Sequence, residues 1–291
     1  MERMTKVFRE MLQRPGIIHA PIAYDPLTAK IAEKVGFKAL DLGGYALGAS
    51  NCVPEPMLTL TDVAEATRRI TAAVNIPLMV DGGAGYGDPA YVVRTIQELE
   101  RAGAAAIHIE DQVYPKRVHY HKGIEHLVPA EEMCVKIRYA LRARRDPDFV
   151  IAARTDAMIT DGYAEAIRRA NLYANAGADM VMLFPNSVAE ARQAPKDVKA
   201  PLIFVNSEGN RFGRPIFAIQ ELEDMGFKMA NDAISAINVV FKSVKDLFVQ
   251  LKTQGRTGMD QKVYVGVRKE IEDTIGLEEF YRMEEETVER S

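Results

Sequence analysis

The chain has 291 residues, 47% of them hydrophobic and 27% charged, with 41 acidic against 37 basic side chains. That balance argues against a disordered chain, and the formal net charge of −4 argues against nucleic acid as the main partner. Two cysteines in unrelated contexts, Cys52 and Cys134, argue against a disulfide scaffold and fit a reducing compartment.

Residues 1–6 lack the apolar core of a secretory leader. Apolar runs reach only about six residues, far short of a membrane span. A cytoplasmic protein without a membrane partner is expected. From there short β-rich runs alternate with longer amphipathic stretches. The predicted strands are 17–23, 39–43, 77–81, 105–111, 149–155, 180–184, 201–206 and 227–230. Helical spacing is clearest in 61–73, 90–102, 130–144, 162–176 and 233–253, as in Val63, Ala66, Ile70 and Val74. Val35-Gly36, Ala102-Gly103, Ala176-Gly177 and Met225-Gly226 read as helix ends capped by a left-handed glycine. The strands show no clean alternation, so both faces should be buried, as in a parallel sheet. Eight such units predict a (β/α)8 TIM barrel over residues 1–255 with a C-terminal helical extension over 256–291. The rival, a doubly wound open sheet, wants a Gly-rich phosphate loop after the first strand, where this chain has Tyr24-Asp25-Pro26.

In a barrel the chemistry sits at the C-terminal strand ends, and unusual polar residues collect there. The first strand ends at Tyr24-Asp25. The second runs into Gly43-Gly44 and a loop with Glu55, and the third reaches Asp81 and the glycine-rich run 82–88. The fourth ends at Glu110-Asp111, the fifth at Arg154-Thr155-Asp156, the seventh at Asn206. Glu55, Asp81 and Glu110 are oxygen donors suited to Mg2+ bound partly through water, with Mn2+ as the alternative. Arg154 suits a carboxylate or phosphonate clamp. After the fourth strand, Lys116-Arg117-Val118-His119-Tyr120-His121-Lys122-Gly123 combines anion-binding charge with proton-transfer groups. A single acid at a strand end more often caps the next helix; three at one end of one barrel favour a metal. His108 and His19 read as core histidines, and His126 as surface.

These residues carry a resemblance to the isocitrate lyase/phosphoenolpyruvate mutase superfamily across roughly residues 6–255. The matching motifs are Ala23-Tyr24-Asp25 with Ala29-Lys30, Asp81 with Gly85-Tyr86-Gly87, Ile109-Glu110-Asp111-Gln112 with Pro115-Lys116-Arg117, and Ala153-Arg154-Thr155-Asp156-Ala157. The chain looks most like the short members, the methylisocitrate and dimethylmalate lyases and carboxyphosphonoenolpyruvate mutase. The resemblance implies a barrel whose last helix, 233–253, swaps between subunits of a homotetramer built from dimers. It also implies Mg2+, a di- or tricarboxylate or phosphonate substrate, and bond making or breaking beside a pyruvate-like enolate.

The departures are equally specific. Family lyases carry Lys-Arg-Cys-Gly-His on this loop, with the cysteine as acid; here Val118 takes its place and cannot transfer a proton. The second aspartate of the metal loop is Gly83, the strand-two aspartate is Glu55, and the strand-six glutamate gives way to Phe184-Pro185-Asn186-Ser187. Three functions follow as expectations. One is a carbon–carbon lyase on a 2-hydroxy dicarboxylate, with Tyr24 orienting the hydroxyl and His119, Tyr120 or His121 replacing the cysteine. In it Gly43, Gly44, Asp81, Arg154 and Asn206 hold the substrate, and Lys116 and Arg117 act from the loop. The second is an oxaloacetate decarboxylase or a phosphonopyruvate hydrolase or mutase. The third is a barrel that has lost its chemistry and kept a binding role.

Overall fold

The structure is a computed structural model that describes residues 2–210 and 212–289. Arg290 and Ser291 of the predicted extension, and Met1 of the predicted barrel, lie outside the described residues. Eight strands form: β1 (Ile18–Pro21), β2 (Leu40–Leu42), β3 (Leu78–Asp81), β4 (Ala106–Glu110), β5 (Val150–Arg154), β6 (Met180–Leu183), β7 (Leu202–Asn206) and β8 (Met229–Asp232). They are parallel and ordered β1-β8-β7-β6-β5-β4-β3-β2. The ring closes at the Ile22–Asp41 bridge, with the Ala23 N–H on the Asp41 carbonyl at 2.9 Å. This is the expected (β/α)8 barrel.

The helices in chain order are α1 (Met4–Gln13), α2 (Pro26–Val35), α3 (Gly44–Ser50), α4 (Leu60–Ala73), α5 (Pro89–Arg101), α6 (Ala130–Ala143) and α7 (Ala157–Thr160). There follow α8 (Tyr163–Asn175), α9 (Val188–Asp197), α10 (Ile219–Met225), α11 (Ser235–Gln254), α12 (Gln261–Ile275) and α13 (Leu277–Thr287). The predicted glycine stops hold: Gly36, Gly103, Gly177 and Gly226 all have φ between +95° and +112°. The chain divides into two compact units, Met1–Ile237 and Asn238–Ser291. In the second, α12 and α13 are joined at Gly276, whose φ of +73° makes it the end of one helix and the start of the next. No helix among the described residues is long and apolar enough to cross a membrane.

What positions the site is the two-residue period of the strands. Met79, Ala106, Val150, Ala152, Met180, Met182, Ile203 and Met229 belong to one buried cluster inside the ring. Further two-residue steps along the same phase lead from Met79 to Asp81, from Ala106 through His108 to Glu110, and from Ala152 to Arg154. The inner face therefore starts apolar and ends ionic. At the opposite end α1 contributes Phe8, fully buried in that cluster. It is anchored by Arg9 on Asp179 at 2.6 Å and by the Thr5 hydroxyl on Asp146 at 2.8 Å. The alternating pattern of strands and helices gave no place to α1, which precedes the first strand.

Candidate active site

Register brings the ionic groups together. Asp81 pairs with His108 across β3 and β4, and Glu110 pairs with Arg154 across β4 and β5. Lys116 reaches back from the loop after β4 and is buried between two carboxylates, 2.6 Å from Glu55 Oε1 and 2.9 Å from Glu110 Oε1. The Tyr120 hydroxyl donates to Glu55 Oε2. The Tyr120 ring lies under the Lys116 ammonium, 4.1 Å from its centroid, and against His121, with ring centroids 4.0 Å apart. Of the three residues proposed to replace the cysteine, Tyr120 reaches Glu55 by a hydrogen bond. His119 is exposed, as are Arg117 and Val118. His121 is half-buried and meets Tyr45 as well, at 5.8 Å between centroids.

Gly44 opens the first helical turn of α3. Its N–H donates to Asp81 Oδ2 at 3.2 Å. A Cβ there would come within 2.9 Å of Glu55 Cγ and 3.1 Å of Asp81 Oδ2, so only glycine lets those two carboxylates approach. Gly43 is similarly tight, with a Cβ 3.0 Å from Ile22 Cδ1. Asp81 Oδ1 accepts the Gly83 N–H at 2.9 Å. Burial raises the Asp81 pKa, but His108, Lys116, Arg154 and the Gly83 N–H together outweigh it and hold the carboxyl down to about 2. Burial dominates at Glu110 and lifts it to about 7 in spite of Lys116 and Arg154. Burial also lowers the Lys116 ammonium, but Glu110 and Glu55 reverse that and keep it charged. Burial, reinforced by Glu55, raises Tyr120 far above an ordinary phenol.

Other expected site residues are placed differently. Arg154 is spent on a two-point pair with Asp156, Nε at 3.0 Å and Nη2 at 3.1 Å, with Glu110 Oε2 at 3.4 Å and the Phe184 ring centroid at 4.6 Å. The Asn206 amide holds both the carbonyl and the N–H of Phe217, at 2.8 and 3.1 Å, and braces the loop after β7. Tyr24 lines a cavity of about 550 Å3 between α2, α3 and α4, whose walls include none of Asp81, Glu110, Lys116 or Arg154. Asp111, beside Glu110, faces away from the inner row. It takes hydrogen bonds from Thr155 and Tyr173, both at 2.7 Å, and ties β4 to β5 and α8.

The inner row also holds groups the sequence reading passed over. Asp41 accepts from the Asn231 amide at 2.5 Å and lies 3.8 Å from His108 Nε2, while His108 Nδ1 lies 3.8 Å from Asp81 Oδ1. His108 is thus no satisfied core histidine. Burial lowers the His108 pKa, and burial with the charge of Asp81 raises that of Asp41 well above its ordinary value. The signal was present: Asp41 is the one charged residue of a hydrophobic strand, in phase with Ala39. Asn231 lay just past the predicted end of the eighth strand. Buried side-chain atoms without a hydrogen-bond partner among the described residues are Asp41 Oδ1, His108 Nδ1, Glu110 Oε1, Glu125 Oε2, Arg214 Nε, Asn231 Oδ1 and Ser235 Oγ. Each such atom costs about 1–3 kcal/mol. Most lie on the inner row or on the loops above it, where a polar ligand would satisfy them.

The donor chemistry fits a hard divalent cation. Mg2+ keeps several waters and uses one or two carboxylates, and Asp81, held ionised, with Glu110, which here faces the Lys116 ammonium, is such a pair. A cage of direct ligands is not formed: no group of three or more His, Cys, Asp or Glu able to share a metal occurs among the described residues. Both Glu55 oxygens are engaged, by Lys116 and Tyr120. At Gly83, where the family has its second aspartate, a Cβ would meet nothing within 4 Å, leaving space for water.

The phosphoenolpyruvate phosphomutase family model matches residues 8–252. The chain belongs to this family, within the phosphoenolpyruvate mutase/isocitrate lyase superfamily. It is an enzyme of the carbon–carbon lyase type found there. A 2-methylisocitrate lyase of Aeropyrum pernix is 37% identical, over 98% of this chain and 92% of the relative. A crystal structure of 2,3-dimethylmalate lyase superposes with a TM-score of 0.89 at 30% identity, covering 99% of this chain and 96% of that one. Phosphonopyruvate hydrolase in complex with oxalate and Mg2+ superposes with a TM-score of 0.86 at 29% identity, over 99% of this chain and 100% of the other.

Proposed function

We propose that the enzyme cleaves a carbon–carbon bond of a 2-hydroxy dicarboxylate, of the methylisocitrate or dimethylmalate type, with Mg2+ as cofactor and Mn2+ as the alternative ion. The observation that carries this reading is the Tyr120–Glu55–Lys116 cluster. A lyase of this kind needs an acid where Val118 offers none, and an inward hydroxyl two residues on supplies one. Asp81 and Glu110, with Glu55 through water, are the residues that would hold Mg2+, which supplies fixed positive charge beside the substrate oxygen that develops into a carbonyl.

The protein's own groups account for the proton and electron movements. Glu55 takes the substrate hydroxyl proton. The carbon–oxygen bond becomes a carbonyl as the carbon–carbon bond breaks, and the bonding pair passes to the α-carbon of the departing carboxylate, which forms as an enolate. Tyr120 gives that carbon its proton, and Glu55 returns the proton it took, so the pair ends as it began. A raised phenol pKa suits this role, because Tyr120 stays protonated until a strong carbon base appears. Lys116, buried and charged, stabilises the enolate in a medium of low dielectric.

A second reading is an enzyme on oxaloacetate or phosphonopyruvate. It is favoured by Phe184 at the end of β6, where lyases of the superfamily place a glutamate. A panel of 2-hydroxy diacids, 2-oxo diacids and phosphonopyruvate separates the two, with 2-oxo acid release followed in Mg2+. Turnover confined to the hydroxy diacids supports the lyase; turnover confined to the 2-oxo acids or phosphonopyruvate removes it. We further propose a cytoplasmic homotetramer that exchanges α11, supported by its exposed Val239, Phe241 and Phe248.

A further inference from the structure

The loop between β7 and α10 is built around one arginine. Asn210 accepts the Arg214 N–H at 2.9 Å and donates to the Arg214 carbonyl at 3.1 Å. Asn206 holds the far end of the loop at Phe217. The Arg214 guanidinium then lies 4.9 Å from the Phe184 ring centroid, on the same ring that Arg154 approaches at 4.6 Å. Its Nε is buried and donates to nothing among the described residues. Burial and the like charge of Arg154 both disfavour its cation. Two guanidiniums share one aromatic ring, yet only Arg154 has a bidentate carboxylate, Asp156, among the described residues.

Two carboxyl groups act on the Arg214 cation: Asp156, which Arg154 already holds, and Glu125, from the loop after β4. Its Oε2 is also buried and also without a partner among the described residues. Burial and the charge of Asp156 push its carboxyl up to about 9, so near neutrality it carries a proton to donate rather than a charge to offer. The two loops meet where the Phe212 ring abuts Gly123; a Cβ there would stand 2.9 Å from the ring. A half-buried guanidinium whose Nε is buried and unpartnered among the described residues, against an aromatic ring and near a buried carboxyl oxygen, has the chemistry to receive a carboxylate.

We infer that Arg214, with Glu125 and Phe184, is the subsite that binds the second carboxylate of the substrate, the one remote from the cleaved hydroxyl carbon. The inference rests on the dicarboxylate reading above and names the residues that select it. A monocarboxylate would leave the buried Arg214 Nε unpaired, the kind of loss by which enzymes reject an analogue lacking a polar group.

The test is binding and turnover by Arg214→Gln and Arg214→Lys. Binding is measured in Mg2+ with oxalate, too short to reach Arg214, and with oxaloacetate, 2-oxoglutarate and 2-oxoadipate. Arg214→Gln should weaken at least one of the longer diacids by roughly 10- to 100-fold, leave oxalate within about twofold, and be partly rescued by Arg214→Lys. Equal weakening of oxalate and all three diacids, no weakening of any, or no diacid binding by the wild type overturns the inference. On a cleaved 2-hydroxy diacid the loss should fall on KM more than on kcat. An unchanged kcat/KM there would sink the inference and leave the lyase reading. Arg214-dependent diacid binding without turnover of any hydroxy diacid would do the reverse.

Discussion

The two ends of the barrel are made of the same strands and are chemically opposite. At the N-terminal end Phe8 fills an apolar interior, and the charged groups around it are paired: Arg9 and Arg144 on Asp179, Arg3 on Asp146. At the C-terminal end Asp41, Asp81, His108, Glu110, Lys116 and Arg154 crowd one inner face, and several of their atoms are unsatisfied. One end is arranged for stability. The other tolerates a cost that a bound ligand would relieve.

Substitutions at each end should separate these roles. The largest effect is expected at Asp81. Asp81→Ala should lower turnover by roughly 10²–10³-fold or more, and EDTA should do the same to the wild type, while the circular dichroism spectrum stays unchanged. Activity indifferent to both would remove the metal from the account. Gly44→Ala should follow, because its Cβ would push Glu55 from Asp81. A shift of this size typically costs about 10²-fold in rate. Phe8→Ala tests the other end: it should lower unfolding free energy by about 3–5 kcal/mol, read from denaturant titration, with near-normal activity per folded molecule. Lost catalysis without lost stability would show that the two ends are coupled. His119→Ala should be smallest, within about 0.5 kcal/mol in stability and near wild type in rate, since the side chain is exposed.

The strands were legible because each is a short buried run, and β2, β4, β6 and β8 each follow a helix ended by a left-handed glycine; those signals are local. The ends of β3, β4 and β5 were legible for the same reason: Asp81, Glu110 and Arg154 interrupt apolar runs. The opposite is true of Arg214 and Glu125. They lie on loops without periodicity and matter only because Asn206, Asn210 and Gly123 bring two loops together. The pairing of Arg154 with Asp156, two residues on, was not readable either, since sequence shows a clamp but not what already occupies it. The choice among His119, Tyr120 and His121 needed the turn after Arg117, which leaves His119 exposed and brings the Tyr120 hydroxyl onto Glu55.

The most direct test of the account is the turnover of Tyr120→Phe on whichever 2-hydroxy diacid the wild type cleaves. Phenylalanine keeps the ring under Lys116 and removes only the proton donor. The account predicts a fall in kcat of roughly 10²–10⁴-fold with KM little changed. A Tyr120→Phe enzyme that turns over at the wild-type rate would contradict it.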